Sequence, residues 1–169
     1  DCPLIDPEII DKVIARYLDG EFDYVTNALR CTYPDGLDTE VFSFAALERA
    51  WREAKEPRQR EHVVPYFKYS GLFRIANVEN EYDLSKEQHR WTVDEPRDLE
   101  FVRAVYDRLG GPENSPFGMK EVLALLEEHP EVRNINQGIT PNEGAYRSFA
   151  DEYRIWEGSD FDFDGALEK

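Results

Sequence analysis

Apolar residues recur along this chain in two periods, and the alternation of those periods lays out the elements. Ile9, Ile10, Val13, Ile14, Tyr17 and Leu18 fall at helical spacing and predict a helix to about Leu18. Asp6 suits its N-cap, Pro7 its first turn and Gly20 its stop. Residues 22–27 are aromatic and β-branched and read as a short strand. Thr32-Tyr33-Pro34-Asp35-Gly36 is a turn, since Pro presets φ and Gly permits a positive one. Residues 37–44 then alternate, with Leu37, Thr39 and Val41 on one side and Asp38, Glu40 and Phe42 on the other. A helix over 45–54 turns Leu47, Ala50, Trp51 and Ala54 inward, and residues 55–60 form a charged loop. Residues 73–78 give a further strand, and a polar connection leads to Arg90.

The most informative stretch runs from Arg90 to Leu109. Trp91, Thr92 and Val93 have strand character. Pro96 opens a helix, Asp98 meets its dipole in the first turn, and Leu99, Val102, Val105, Tyr106 and Leu109 form its apolar face. Asp94 is left at the carboxyl end of the strand, the edge at which open α/β sheets bind ligands. Asp94 also reads as a helix cap. Beyond Gly110-Gly111-Pro112 the composition shifts. A short amphipathic helix over 119–128 rests on Val122, Leu123, Leu125 and Leu126, and the acid-and-aromatic run at 160–165 reads as a tail.

Composition narrows the class. A chain of 169 residues with 41% hydrophobic and 13% aromatic content is a globular domain, not a disordered one. Its net charge of −16 disfavours nucleic acid and anionic membrane as partners. That charge reads as a solvated surface, with a salt-loving source as an alternative. No apolar run approaches the ~20 residues of a membrane span, and no signal peptide is visible. Cys2 and Cys31 lack metal-site spacing and read as ordinary thiols in a cytoplasmic protein. No HExxH pattern or His/Cys cluster points to zinc.

Four segments carry a family resemblance. Val93-Asp94-Glu95-Pro96-Arg97-Asp98-Leu99 resembles the Val-Asp-Thr-Pro-Glu-Asp-Leu signature of sugar cytidylyltransferases, the group of CMP-Kdo synthetase, acylneuraminate cytidylyltransferase and SpsF-like enzymes. Asp1-Cys2-Pro3-Leu4-Ile5-Asp6-Pro7 resembles their Gly-Asp-x-Pro-Leu-Ile-Asp-Pro segment. The run from Pro34 through Leu47 resembles the most specific motif of the SpsF-like branch, and Arg60-Glu61-His62-Val63-Val64-Pro65-Tyr66 its Arg-Glu-His-Val-Thr-Pro-Tyr helix.

The resemblance implies an α/β, Rossmann-like nucleotidyltransferase fold with a mixed central sheet. It implies transfer of CMP from CTP to a nonulosonic or Kdo-like sugar acid, with release of pyrophosphate, for surface glycans. It makes Asp1 and Asp94 the catalytic carboxylates that hold Mg2+. Asp38 and Glu40 fall on the sugar side of the cleft, although read alone they suit a solvent-facing strand equally. His62 becomes the histidine suited to a sugar hydroxyl. Arg90 is either a surface arginine or the partner of an acidic sugar's carboxylate. CTP, the sugar acid and a second copy of the chain are the implied partners.

The family's Ala-Arg-x-x-Ser-x-Arg-type phosphate loop has no counterpart here. Residues 1–109 therefore read as the C-terminal part of such a catalytic domain, with its nucleotide-binding half missing, and 110–169 as a helical extension with an acidic tail. This fragment alone is expected to be inactive. Two rivals stand beside that reading: a transferase of the same fold acting on another activated sugar or alcohol, and a catalytically incomplete binding or dimerisation module.

Overall fold

The computed structural model of the chain describes residues 2–61, 64–84, 87, 89–110 and 116–139, without the side chains of Arg58 and Glu61. Residues 1–139 form one compact unit, and residues 140–169, with the expected acidic tail, lie outside the described residues.

The elements are α1 (Pro7–Leu18), β1 (Tyr24–Thr26), β2 (Glu40–Phe42), α2 (Phe44–Glu53), α3 (Pro57–Glu61), α4 (Val64–Tyr69), β3 (Ile75–Asn77), α5 (Pro96–Leu109), α6 (Met119–Glu128) and α7 (Pro130–Arg133). The sheet is mixed, in the order β2-β1-β3. β1 lies in the middle, antiparallel to β2 with Tyr24 opposite Phe42, and parallel to β3 with Tyr24 opposite Ile75. Central placement agrees with its composition: Tyr24, Val25 and Thr26 are all buried.

Helix ends follow their caps. Asp6 accepts the Glu8 N–H at 2.8 Å with Oδ1, which starts α1 at Pro7 as expected. Its Oδ2 accepts the Met119 N–H at 2.8 Å, so one carboxylate caps α1 and α6 together. Gly118 makes this approach possible, since a Cβ there would lie 2.5 Å from Asp6 Oδ2. Ser43 caps α2 by accepting the Ala46 N–H at 3.0 Å.

Two groups of buried side chains make up the core. The larger packs Trp91, Leu37 and Ile9 against Phe101, Val102 and Val105 of α5 and Val122, Leu125 and Leu126 of α6. The smaller gathers Tyr24, Tyr66 and Phe67 against Ala46, Ala50 and Ala54. Tyr24 and Phe67 stack there with ring centroids 4.9 Å apart.

Three local expectations are corrected. Trp51 points outward at 65% exposure. The inner face of α2 is an alanine stripe, Ala46–Ala50–Ala54, that lets the helix close on the aromatic stack. Trp51 instead lies beneath the Arg60 guanidinium, which donates to the Trp51 carbonyl at 2.6 Å. Within the loop expected at 55–60, residues from Pro57 onward form the short helix α3. Residues 91–93 form no strand; the segment is tied in at its start, by a parallel bridge between Asp35 and Arg90.

Candidate active site

Two backbone segments meet at that bridge. Asp35 N–H donates to the His89 carbonyl at 3.0 Å, and Trp91 N–H donates to the Asp35 carbonyl at 2.8 Å. Gly36 allows the contact: its φ is +103°, and a Cβ would sit 2.7 Å from the Trp91 carbonyl carbon and 2.8 Å from Thr92 N. The turn at 34–36 and the segment leading to Asp94 are thereby locked side by side.

Arg90 stands at the junction with its side chain 6% exposed. Its Nε donates to Asp98 Oδ1 at 3.0 Å and its Nη2 to Asp98 Oδ2 at 2.9 Å, a bidentate pair. Nη2 also donates to Asp94 Oδ2 at 2.7 Å. Nη1 lies 3.8 Å from Asp35 Oδ2. One guanidinium thus faces carboxylates from three segments.

Asp98 is fully buried. Besides Arg90 it accepts Asn136 Nδ2 at 2.9 Å, the Asp94 N–H at 3.1 Å and the Glu95 N–H at 2.9 Å. Burial alone raises a carboxyl pKa, but here the Arg90, Asn136 and backbone donors together outweigh it and hold Asp98 well below the usual range. Asn136 also donates to the Arg90 carbonyl at 2.9 Å. The cap of α5 is Glu95, so Asp94 stands one residue before the cap with its side chain 61% exposed.

Asp35 behaves in the opposite way. Its Oδ2 is buried and accepts no hydrogen bond. Desolvation, then the charge of Asp38, raise its pKa to about 6, against the opposing pull of Arg90. Asp38 is itself pushed up, by desolvation and by Glu40, and pulled down by Lys68. Burial raises the Cys2 thiol, and the charges of Asp38, Asp35 and Asp94 add to that rise.

The 37–40 segment alternates as expected: Leu37 and Thr39 are buried, Asp38 and Glu40 exposed. Asn27 fixes it from the neighbouring strand, donating Nδ2 to the Leu37 carbonyl at 2.8 Å and accepting the Thr39 N–H at 2.7 Å. Tyr24 Oη donates to Glu40 Oε1 at 2.7 Å, which orients that carboxylate.

Of the residues singled out from the sequence, Asp38, Glu40, Arg90 and Asp94 are described, and Asp1 and His62 lie outside the described residues. Asp38 and Glu40 stand on the open side, whereas Arg90 lies beneath the surface with Asp98 in its fork. Asp35, Asp98 and Asn136 were not read from sequence as site residues. Asp35 passed for turn chemistry and Asp98 for a helix-dipole carboxylate, and Asn136 lies in a stretch that resembles a closing segment of the family and was given no chemistry.

Asp94 offers a hard oxygen donor of the kind that magnesium takes beside waters and phosphate oxygens. Asp94 spends Oδ2 on Arg90, leaving Oδ1 for a ligand on the open side. No group of three or more His, Cys, Asp or Glu side chains is poised around a metal position among the described residues, and a magnesium site completed by substrate does not need one.

Comparison with known proteins identifies the family. A family model described as Cytidylyltransferase matches residues 1–133. An uncharacterized protein of Methanocaldococcus jannaschii is 34% identical over 143 residues, covering 82% of this chain and 55% of that protein. The spore coat polysaccharide biosynthesis protein SpsF of Bacillus subtilis is 30% identical over 136 residues, covering 78% of this chain and 54% of SpsF. A solved structure of a cytidylyltransferase from Leptospira borgpetersenii superposes with a TM-score of 0.72 at 29% identity, over 83% of this chain and 58% of that one. The chain thus spans little more than half the length of these relatives. Its mixed sheet and flanking helices are those of the nucleotidyltransferase fold, and with the family match over residues 1–133 the chain belongs to the cytidylyltransferase family.

Proposed function

We propose that this chain furnishes the metal and acceptor side of an enzyme that transfers CMP from CTP to a sugar acid. In that reaction a sugar hydroxyl oxygen bonds to the α-phosphorus, the bond from that phosphorus to its bridging oxygen breaks, and pyrophosphate leaves. The hydroxyl proton passes to solvent or to a base. Such a step depends on positioning and charge neutralisation. The observation that carries the reading is Asp94, exposed at the end of the 90–94 segment with one oxygen held by Arg90.

Asp94 and Asp1 would hold magnesium, which when bound supplies neutralising charge to the phosphates. The chain's own part is to keep Asp94 fixed and to present Asp38 and Glu40 to the acceptor. His62 belongs to the same acceptor side by its motif. The sugar-acid assignment is supported by the SpsF-like motif from Pro34 onward and by the similarity to SpsF, whose name places it in polysaccharide biosynthesis.

The test is pyrophosphate release by the complete enzyme that contains this chain, from CTP and magnesium with a panel of sugar acids, neutral sugars and simple alcohols. Release that requires a sugar acid supports the reading. Release with another acceptor only would assign a different transferase, and no release with any acceptor would refute the transfer reading.

Pairing with a second copy is supported by the outer face of α2, where Phe44 and Trp51 are exposed about two helical turns apart. Sedimentation of the wild type and of Trp51→Ser tests it: a dimer that the substitution dissociates is expected, and a monomeric wild type would overturn it.

A further inference from the structure

The buried network around Arg90 carries an assignment that the sequence does not. A substrate carboxylate would need two parallel N–H donors of the guanidinium. Nε and one Nη2 hydrogen are already given to Asp98, and the other Nη2 hydrogen to Asp94. Nη1 looks toward Asp35, and the side chain is 6% exposed. The fork is occupied from within the protein.

Asp94, by contrast, is open to solvent, and an exposed carboxylate freely samples its rotamers. Two contacts remove that freedom. The Asp94 N–H is held by Asp98 Oδ2, and its carboxylate is held by Arg90, itself clamped by Asp98. Asn136 closes the network from a distant part of the chain, bonding both the Arg90 carbonyl and Asp98 Oδ1.

We propose that Arg90 is a positioning residue, clamped by Asp98 and Asn136, that fixes the Asp94 carboxylate with Oδ1 turned to a divalent cation. The proposal rests on the reading of Asp94 as a metal ligand. Partners that orient a metal-binding side chain in this way are typically worth about 10–100-fold in metal affinity or activity.

The test measures Mn2+ binding from the free-ion electron paramagnetic resonance signal, and pyrophosphate release, in the complete enzyme that contains this chain, as the wild type, Asp94→Asn and Arg90→Lys. Lysine keeps the positive charge, but its single ammonium cannot span Asp98 and Asp94. Arg90→Lys is expected to weaken Mn2+ binding roughly 10-fold and to lower kcat with the KM for CTP little changed, at temperatures where it is fully folded. If Asp94→Asn weakens Mn2+ while a folded Arg90→Lys binds as the wild type does, the positioning role is overturned. If Asp94→Asn leaves Mn2+ binding unaltered, the metal-ligand reading itself is what fails. Should Arg90→Lys not fold, a Mn2+-bound wild-type crystal structure decides. Asp94 is expected to bind the ion through Oδ1 with Oδ2 still on Arg90 Nη2, and an Arg90 turned to substrate would refute the proposal.

Discussion

Arg90 and Asp98 form a two-bond ion pair inside the protein, 3.0 Å from Nε to Oδ1 and 2.9 Å from Nη2 to Oδ2, with Asp98 fully buried. Removing one member of a buried pair leaves the other charge without compensation, at a cost of about 3–5 kcal/mol. Asp98→Ala is therefore expected to lose stability of that order in denaturant titrations. Asp98→Asn keeps one acceptor oxygen and should lose less. A loss below about 1 kcal/mol for Asp98→Ala, the range of exposed pairs, would show that this pair does not hold the segment together.

Asp6 offers a second stability test. Its two oxygens cap α1 and α6, through Glu8 N and Met119 N. Each cap is worth about 1 kcal/mol, so Asp6→Ala should cost roughly 2 kcal/mol. Asp6→Asn can accept with only one oxygen and should cost about half of that. Gly118→Ala should resemble Asp6→Asn, because the added Cβ lies 2.5 Å from the capping oxygen and would push it off Met119. An undiminished melting temperature in Gly118→Ala would argue against the shared cap.

The caps and the periodicity of α1, α5 and α6 were legible because they are local: Asp6-Pro7, Pro96 and the apolar spacing each act within a turn or two. The face of α5 was read less well. Leu99 and Tyr106 were expected inside, and the buried row is Asp98, Phe101, Val102 and Val105. Hydrophobic spacing places an aspartate outside by default, and its reasons for being inside are Arg90, eight residues away, and Asn136, thirty-eight residues away. Asp35 is a similar case. Pro34 and Gly36 explain the turn completely, and only the contact of Gly36 with Trp91 and Thr92 shows that this turn delivers a carboxylate beside Arg90. Trp51 was misread because three alanines, not the larger side chains, set the face of α2.

Asp35 predicts a pH dependence. Its folded pKa is raised to about 6 from an ordinary 3.8. Below about pH 4 it is protonated folded or unfolded and costs nothing. Between about pH 4 and 6 the folded state retains a proton that the unfolded state releases, so this group's contribution falls as pH rises. Above pH 6 the penalty is complete, up to about 3 kcal/mol at ~1.4 kcal/mol for each unit of pKa. Asp98 has the opposite sign: its contribution is present above its unfolded pKa and is lost as pH falls below it. Asp35→Asn should therefore be more stable than the wild type at pH 7.5, with the gain shrinking through the window from 6 to 4. A gain that is the same at pH 3.5 and pH 7.5 would show that ionisation is not its source.

Asp94 and Asp38 should separate the two halves of the chemistry. Both side chains are exposed, so neither amide substitution should change stability by more than about 1 kcal/mol. Asp94→Asn preserves shape and can still accept from Arg90 Nη2, but it loses the charge that a magnesium ligand needs. In the active enzyme it should abolish metal-dependent pyrophosphate release. Asp38→Asn should instead raise the KM for the acceptor sugar and leave CTP affinity, measured separately, unchanged. Glu40→Gln tests the same side with its own control, because the amide oxygen still accepts from Tyr24 Oη and the strand pairing is retained. Full turnover in Asp94→Asn would remove the metal-ligand reading. A fall in CTP affinity in Asp38→Asn, with sugar dependence unaltered, would place that carboxylate on the nucleotide side of the cleft.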